Sequence, residues 1–66
     1  MRLSVNGRPH ELPEGTALTG LLETVAPDPR GVAVALNGSV VRAAEWPATP
    51  LREGDLVEVV TAHQGG

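Results

Sequence analysis

Two Asn-Gly pairs, at residues 6–7 and 37–38, place strong limits on how this chain of 66 residues can fold. Asparagine and glycine both tolerate the positive φ angles of a type I′ turn, so the pair is a strong signal for a β-hairpin. Each pair separates two short runs that favour strands, at 2–5 and 8–12 and again at 31–36 and 39–42. The sequence therefore predicts two hairpins. Pro9 cannot donate a backbone hydrogen bond, which predicts that the second run lies at a sheet edge.

One amphipathic helix is predicted between the hairpins. Its apolar residues recur at the i, i+3, i+4 and i+7 spacing of a single helical face: Leu18, Leu21, Leu22 and Val25. Thr16 precedes this stripe and is expected to be the N-cap. The proline-rich segment at 27–29 should end the helix.

The most strand-like run is residues 56–61. Its alternation places Val57 and Val59 on one face, and Leu56, Glu58 and Val60 on the other. Apolar residues on both faces predict a central strand. The same pattern raises the possibility that Leu56, Glu58 and Val60 lie on an open sheet face that contacts a partner.

The predicted order is ββαββ, a loop, and a final strand. The loop at 43–50 should hold at most one short helical turn, and Trp46 should anchor it on the core because tryptophan buries a large apolar area. The simplest architecture is α+β and β-grasp-like, with a mixed sheet of four or five strands on one helix and parallel first and last strands. We expect a folded domain at 1–61 and a flexible tail at 62–66.

Composition argues against several classes of function. The net charge is −3, the five arginines are scattered, no lysine is present and Trp46 is the one aromatic residue, so nucleic-acid binding is not expected. Cysteine is absent, which excludes a thiol nucleophile in these residues. No long apolar run suggests a membrane segment, and a cytoplasmic protein is the default expectation. His10 and His63 lack companion ligands at metal-site spacing, so no metal site is expected.

The Gly65-Gly66 pair closely follows the last predicted strand. A frayed terminus would explain it. Glycine also passes constrictions that exclude a side chain, so the pair suits an arm that carries the Gly66 carboxylate into another protein's active site. Such a carboxylate can attack an α-phosphate only where metal and cationic groups stabilise the transition state. No phosphate-binding loop or hydrolytic triad is recognisable here, so we expect catalysis to lie in a partner and this chain to be no enzyme.

The chain resembles the ThiS family of sulfur carriers, which are ubiquitin-like proteins of thiamine biosynthesis. The resemblance extends over essentially the whole length and ends in Gly65-Gly66. Its other residues are Leu3-x-Val5-Asn6-Gly7, Leu21-Leu22, Val34-Ala35-Leu36-Asn37-Gly38-x-Val40-Val41, Glu45-Trp46 and Leu51-x-x-Gly54-Asp55-x-Val57-Glu58-x-Val60. Two positions depart from the family pattern: Arg42 replaces a frequent proline, and His63-Gln64 occupies a variable site.

This resemblance implies a protein that is a substrate of other enzymes. A ThiF-like adenylating enzyme would use Mg-ATP to activate the Gly66 carboxylate, and Gly65 would permit its passage. Sulfur from a persulfide donor would then give a thiocarboxylate, which a ThiG-like thiazole synthase consumes. No cofactor is expected on this chain itself. Three alternatives remain: a carrier for molybdopterin or cysteine synthesis, a ubiquitin-like conjugating modifier, and an interaction module that never activates its carboxylate.

Overall fold

A computed structural model describes residues 1–28 and 30–61. The elements follow the predicted order, and a 3₁₀ helix replaces the loop before the last strand. They are β1 (Arg2–Val5), β2 (Arg8–Glu11), α1 (Leu18–Val25), β3 (Val32–Leu36), β4 (Ser39–Val41), the 3₁₀ helix (Ala43–Ala48) and β5 (Leu56–Thr61).

The strands form one mixed five-stranded sheet in the order β2-β1-β5-β3-β4. β5 is the central strand, parallel to β1 and antiparallel to β3, as its two-sided apolar pattern predicted. β2 lies at an edge, as Pro9 predicted. Both hairpins have positive φ at their two turn residues, 52° and 81° at Asn6 and Gly7, and 51° and 86° at Asn37 and Gly38. The predicted hairpins and the parallel pairing of first and last strands are confirmed.

One face of the sheet is covered by α1 and the 3₁₀ helix. The buried apolar residues come from every layer of the fold: Leu3, Val5, Leu18, Leu21, Leu22, Ala26, Val34, Trp46, Leu51 and Val57. Trp46 is 7% exposed, and its indole N–H donates to the Val41 carbonyl at 2.9 Å. Its predicted role as the anchor of the 43–50 segment is confirmed.

The prediction that Thr16 caps the helix was wrong. The N-cap is Ala17, without a side-chain cap bond, and the Thr16 hydroxyl instead donates to the Pro13 carbonyl at 2.8 Å. Extended pairing accounts for the difference, because Ala17 forms an antiparallel bridge with Pro50. The Leu18 N–H donates to the Thr49 carbonyl at 2.9 Å, so a tertiary contact takes the place of a cap.

The segment before β5 is more regular than predicted. It forms a 3₁₀ helix of six residues with Pro47 inside, which is two turns rather than at most one. Burial of Trp46 folds the segment back onto α1, and this tertiary contact supports a helix that local sequence does not favour. Neither this helix nor α1 is long and apolar enough to cross a membrane.

Candidate functional site

The sheet face opposite α1 is left uncovered by the described residues, and we call it the open face. Leu56 and Val60 are 59% and 64% exposed there, and Glu58 between them is also exposed. Val57, on the other side of the same strand, is 1% exposed. The predicted division of β5 into two faces is therefore confirmed. Whether the outer residues contact a partner stays a prediction.

Two further strands extend the apolar surface sideways. Ala35 on β3 is paired with Glu58 on one side and with Val40 of β4 on the other, so the three lie in one row across the sheet. Val40 is 78% exposed. The sequence analysis did not place Val40 on the open face. Alternation along β4 could have done so, because the neighbouring Val41 packs against the core and Val40 must then lie on the opposite face. Because the Ala35 side chain is small, the side chains of Val40 and Glu58 on either side project farther from the sheet.

The open face carries a shallow depression of about 380 Å³ near both hairpin turns. It is lined by Ser4, Gly7, Gly38, Leu56, Val57 and Glu58. Glycine at both turns leaves no side chain to fill it.

Charge on the open face is unevenly distributed. At the β1–β2 side, Arg2 and Glu11 are opposed, with Nε and Oε2 3.9 Å apart. No ion pair joins Glu58 to another residue within 1–28 or 30–61. Leu56 and Val60 flank Glu58 on its own strand, and Val40 lies two strands away, beyond Ala35.

Both hairpin asparagines bind the backbone of β5 through their side chains. Asn6 accepts from the Val59 N–H at 2.8 Å and donates to the Val59 carbonyl at 3.1 Å. Asn37 accepts from the Leu56 N–H at 2.9 Å and donates to Asp55 at 3.1 Å. The sequence predicted the turns from backbone preference but gave no signal for these side-chain contacts, which join residues distant in the chain.

The predicted reactive end lies outside the described residues. This applies to Gly65, Gly66 and His63, so the division at 1–61 and 62–66 stays a prediction. The last residue of β5, Thr61, is paired with Val32 of β3. Among residues 1–28 and 30–61, no group of three His, Asp or Glu side chains could hold a metal ion. The Nδ1 atom of His10 lies 3.3 Å from the Arg8 carbonyl oxygen.

A mixed five-stranded sheet packed on one helix, with adjacent parallel first and last strands, defines the ubiquitin-like β-grasp class. The model of the ThiS family matches residues 3–66. This chain belongs to the ThiS family.

Individual relatives agree with that placement. The chain is 47% identical over 62 residues to the sulfur carrier protein ThiS of Thermus thermophilus, covering 94% of this chain and 95% of that protein. It is 41% identical over 66 residues to a thiazole synthase of Magnetococcus marinus, covering all of this chain and 20% of that protein. The crystal structure of the thiamine biosynthesis protein ThiS from Geobacter metallireducens has a TM-score of 0.84 and 35% identity, with both chains fully covered. A solution structure of a thiamine biosynthesis protein from that organism has a TM-score of 0.82 and 35% identity, covering all of this chain and 88% of the other.

Proposed function

We propose that this chain is a sulfur carrier for thiazole formation in thiamine biosynthesis, and that Gly66 carries the sulfur as a thiocarboxylate. The observation that carries the proposal is the 47% identity to a sulfur carrier protein over 94% of this chain. The Gly65-Gly66 ending supports it, because it offers an unhindered carboxylate.

The proposed chemistry activates the carboxylate and then exchanges one of its oxygens. A Gly66 oxygen attacks the α-phosphate of Mg-ATP, pyrophosphate leaves, and an acyl-adenylate forms. The outer sulfur of a persulfide donor then attacks the acyl carbon and expels AMP. Cleavage of the remaining S–S bond by a thiol releases the thiocarboxylate and leaves a disulfide. None of these steps requires a cofactor bound to this chain, since ATP and Mg²⁺ belong to the activating enzyme.

Two partner enzymes follow from this scheme, a ThiF-like adenylating enzyme and a ThiG-like thiazole synthase. Similarity to the thiazole synthase of Magnetococcus marinus supports the second, because a segment like this chain makes up 20% of that protein. A carrier-like segment on a synthase polypeptide is consistent with direct transfer between the two. The carrier's own part is to present its end group.

We assign docking of the adenylating enzyme to the open face. Leu56, Glu58 and Val60 lie on β5, the strand that leads directly into residues 62–66. A partner bound there would hold the body next to the root of the arm. An extended arm of five residues reaches at most roughly 16–18 Å, so the active site should lie within that distance of the end of β5.

The test is an intact mass after incubation with the adenylating enzyme, Mg-ATP and a persulfide donor. We expect the mass shift of one sulfur-for-oxygen exchange, located in the peptide that ends at Gly66. A variant lacking Gly65-Gly66 is the matched control, since it keeps the whole described fold. An unchanged mass of the wild-type protein, with an enzyme active on another carrier, would contradict the proposal.

The same reagents separate the alternatives. A thiocarboxylate that supports molybdopterin or cysteine synthesis but not thiazole formation would move the carrier to another pathway. Lysine-linked adducts of Gly66 in cell lysate would indicate a conjugating modifier. Full cellular function after deletion of Gly65-Gly66 would indicate an interaction module that never activates its carboxylate.

A further inference from the structure

The Asn6 side chain continues the pairing between β1 and β5 after β1 has ended. The strands pair through Ser4–Leu56 and Val5–Val57. Beyond these pairs, the Asn6 N–H donates to the Val57 carbonyl at 2.8 Å, and the Asn6 side-chain amide then engages both backbone groups of Val59. The amide group thus takes the place of one more peptide unit of β1.

This contact holds the part of β5 closest to the arm. Every second residue of this segment directs its backbone groups toward β1. The carbonyls of Asp55 and Val57 accept from the N–H groups of Ser4 and Asn6, and Val59 is the next residue in this alternation. On its other edge, β5 pairs with β3 as far as Thr61. Without the Asn6 amide, the β3 ladder would be the remaining backbone pairing of residues 59–61 among the described residues, alongside the packing of the Val59 side chain against the core.

We infer that Asn6 is a positioning residue for the reaction at Gly66. By holding Val59 from the β1 side, it restricts the last residues of β5, which β3 pairs along one edge only, and so limits the conformations from which the reacting end must be ordered. The inference rests on the proposed function. Asn6 would then have two roles, one in its hairpin turn and one in positioning a carboxylate that lies 60 residues later in the sequence.

Asn37 supplies a matched control within the same protein. Asn6 and Asn37 have φ angles of 52° and 51°, each precedes a glycine, and each binds β5 through its amide. Asn37 acts at the beginning of β5, away from the arm. Glycine tolerates positive φ, so Asn6→Gly and Asn37→Gly both keep the turn and remove the amide.

Amide hydrogen exchange gives a readout that does not need a partner enzyme. Asn6→Gly should speed exchange at Val59, whereas Asn37→Gly should speed it at Leu56 and leave Val59 protected. Unchanged Val59 protection in Asn6→Gly would overturn the inference at its structural step.

Adenylation kinetics test the functional step. Partial unfolding of a protein substrate lowers its effective concentration, which raises the apparent KM and leaves kcat unchanged. Loss of arm positioning after docking should instead lower kcat, by at most roughly five- to thirtyfold for each backbone residue that loses its fixed conformation completely, and by less where β3 still pairs that residue. We expect this loss for Asn6→Gly and not for Asn37→Gly. Asn6→Asp keeps the acceptor for the Val59 N–H and should lie between wild type and Asn6→Gly.

The possible outcomes are distinct. If the wild-type protein is adenylated and the two glycine variants have equal kcat, the positioning role of Asn6 is overturned and the proposed function stands. Wild-type protein that is never adenylated overturns the proposed function, and the inference with it.

Discussion

Truncation of Leu56 to alanine should weaken docking and leave the fold nearly unchanged. Full burial of a leucine side chain is worth about 1.5–3 kcal/mol. Because 59% of Leu56 is exposed in the free protein, a partner that covers it can gain only the matching fraction. Alanine keeps the Cβ atom, so we expect a loss of about 1 kcal/mol, which is about a fivefold rise in KM.

Val34 on the adjacent strand β3 provides the control. It is 1% exposed and belongs to the buried core, so Val34→Ala should cost about 2 kcal/mol of unfolding free energy through lost contacts and a cavity. Corrected for the folded fraction, its KM should equal that of wild type. Leu56→Ala should show the reverse pattern, with a changed KM and nearly unchanged stability.

The assay is pyrophosphate release by the adenylating enzyme at varied carrier concentration, paired with thermal unfolding of each variant. The kcat should stay constant for Leu56→Ala, because the arm is untouched. An unchanged KM for Leu56→Ala, or an equal KM change for both variants after correction for folding, would refute the assignment of docking to the open face.

Three further outcomes are expected. Trp46→Phe removes the indole N–H donor to a β4 carbonyl at 2.9 Å and leaves space beside the smaller ring, so it should lower the unfolding free energy by at least about 1 kcal/mol, measured by denaturant titration, without changing kcat. A Cβ at Gly20 would lie 3.0 Å from the Thr16 methyl, so Gly20→Ala should gain less than the about 1 kcal/mol expected from helix propensity. Combining it with Thr16→Ser removes that methyl and should make the protein more stable than Gly20→Ala alone in thermal unfolding, and equal stability would contradict this. The hydrogen bond from the Arg30 guanidinium holds the pKa of the Asp28 carboxyl below its usual value. The contribution of this pair to stability is therefore present above the usual pKa of an aspartate and is lost as the pH falls through the lowered pKa of Asp28. Arg30→Gln should raise the pKa of Asp28, as measured by NMR titration of its carboxyl group.

Patterns of short range were sufficient for most of the architecture. The Leu18–Val25 stripe predicted α1, and the alternation of 56–61 predicted both the bounds and the central place of β5. The prediction that Thr16 caps the helix was wrong because the first helical N–H, that of Leu18, finds its acceptor in the distant Thr49 carbonyl and not in a neighbouring side chain. Local sequence rules cannot include a carbonyl 31 residues away from Leu18.

The candidate site divides in the same way. The two-residue period of a strand identified Leu56, Glu58 and Val60 as one face, since alternation is a property of the extended backbone itself. Val40 joined that face only through pairing with Ala35, and sequence alone does not give strand register across a sheet.

By itself, the sequence determined the strands and the α-helix, their order, the face on which each side chain of β5 lies, and the family to which the chain belongs, but not the 3₁₀ helix at Ala43–Ala48. The tertiary structure alone decided which backbone groups the two hairpin asparagines hold and which strands complete the open face. The physical reason is range. Turn angles and strand alternation arise within a few bonds, whereas the contact between Asn6 and Val59 spans 53 residues and exists only once the sheet has closed.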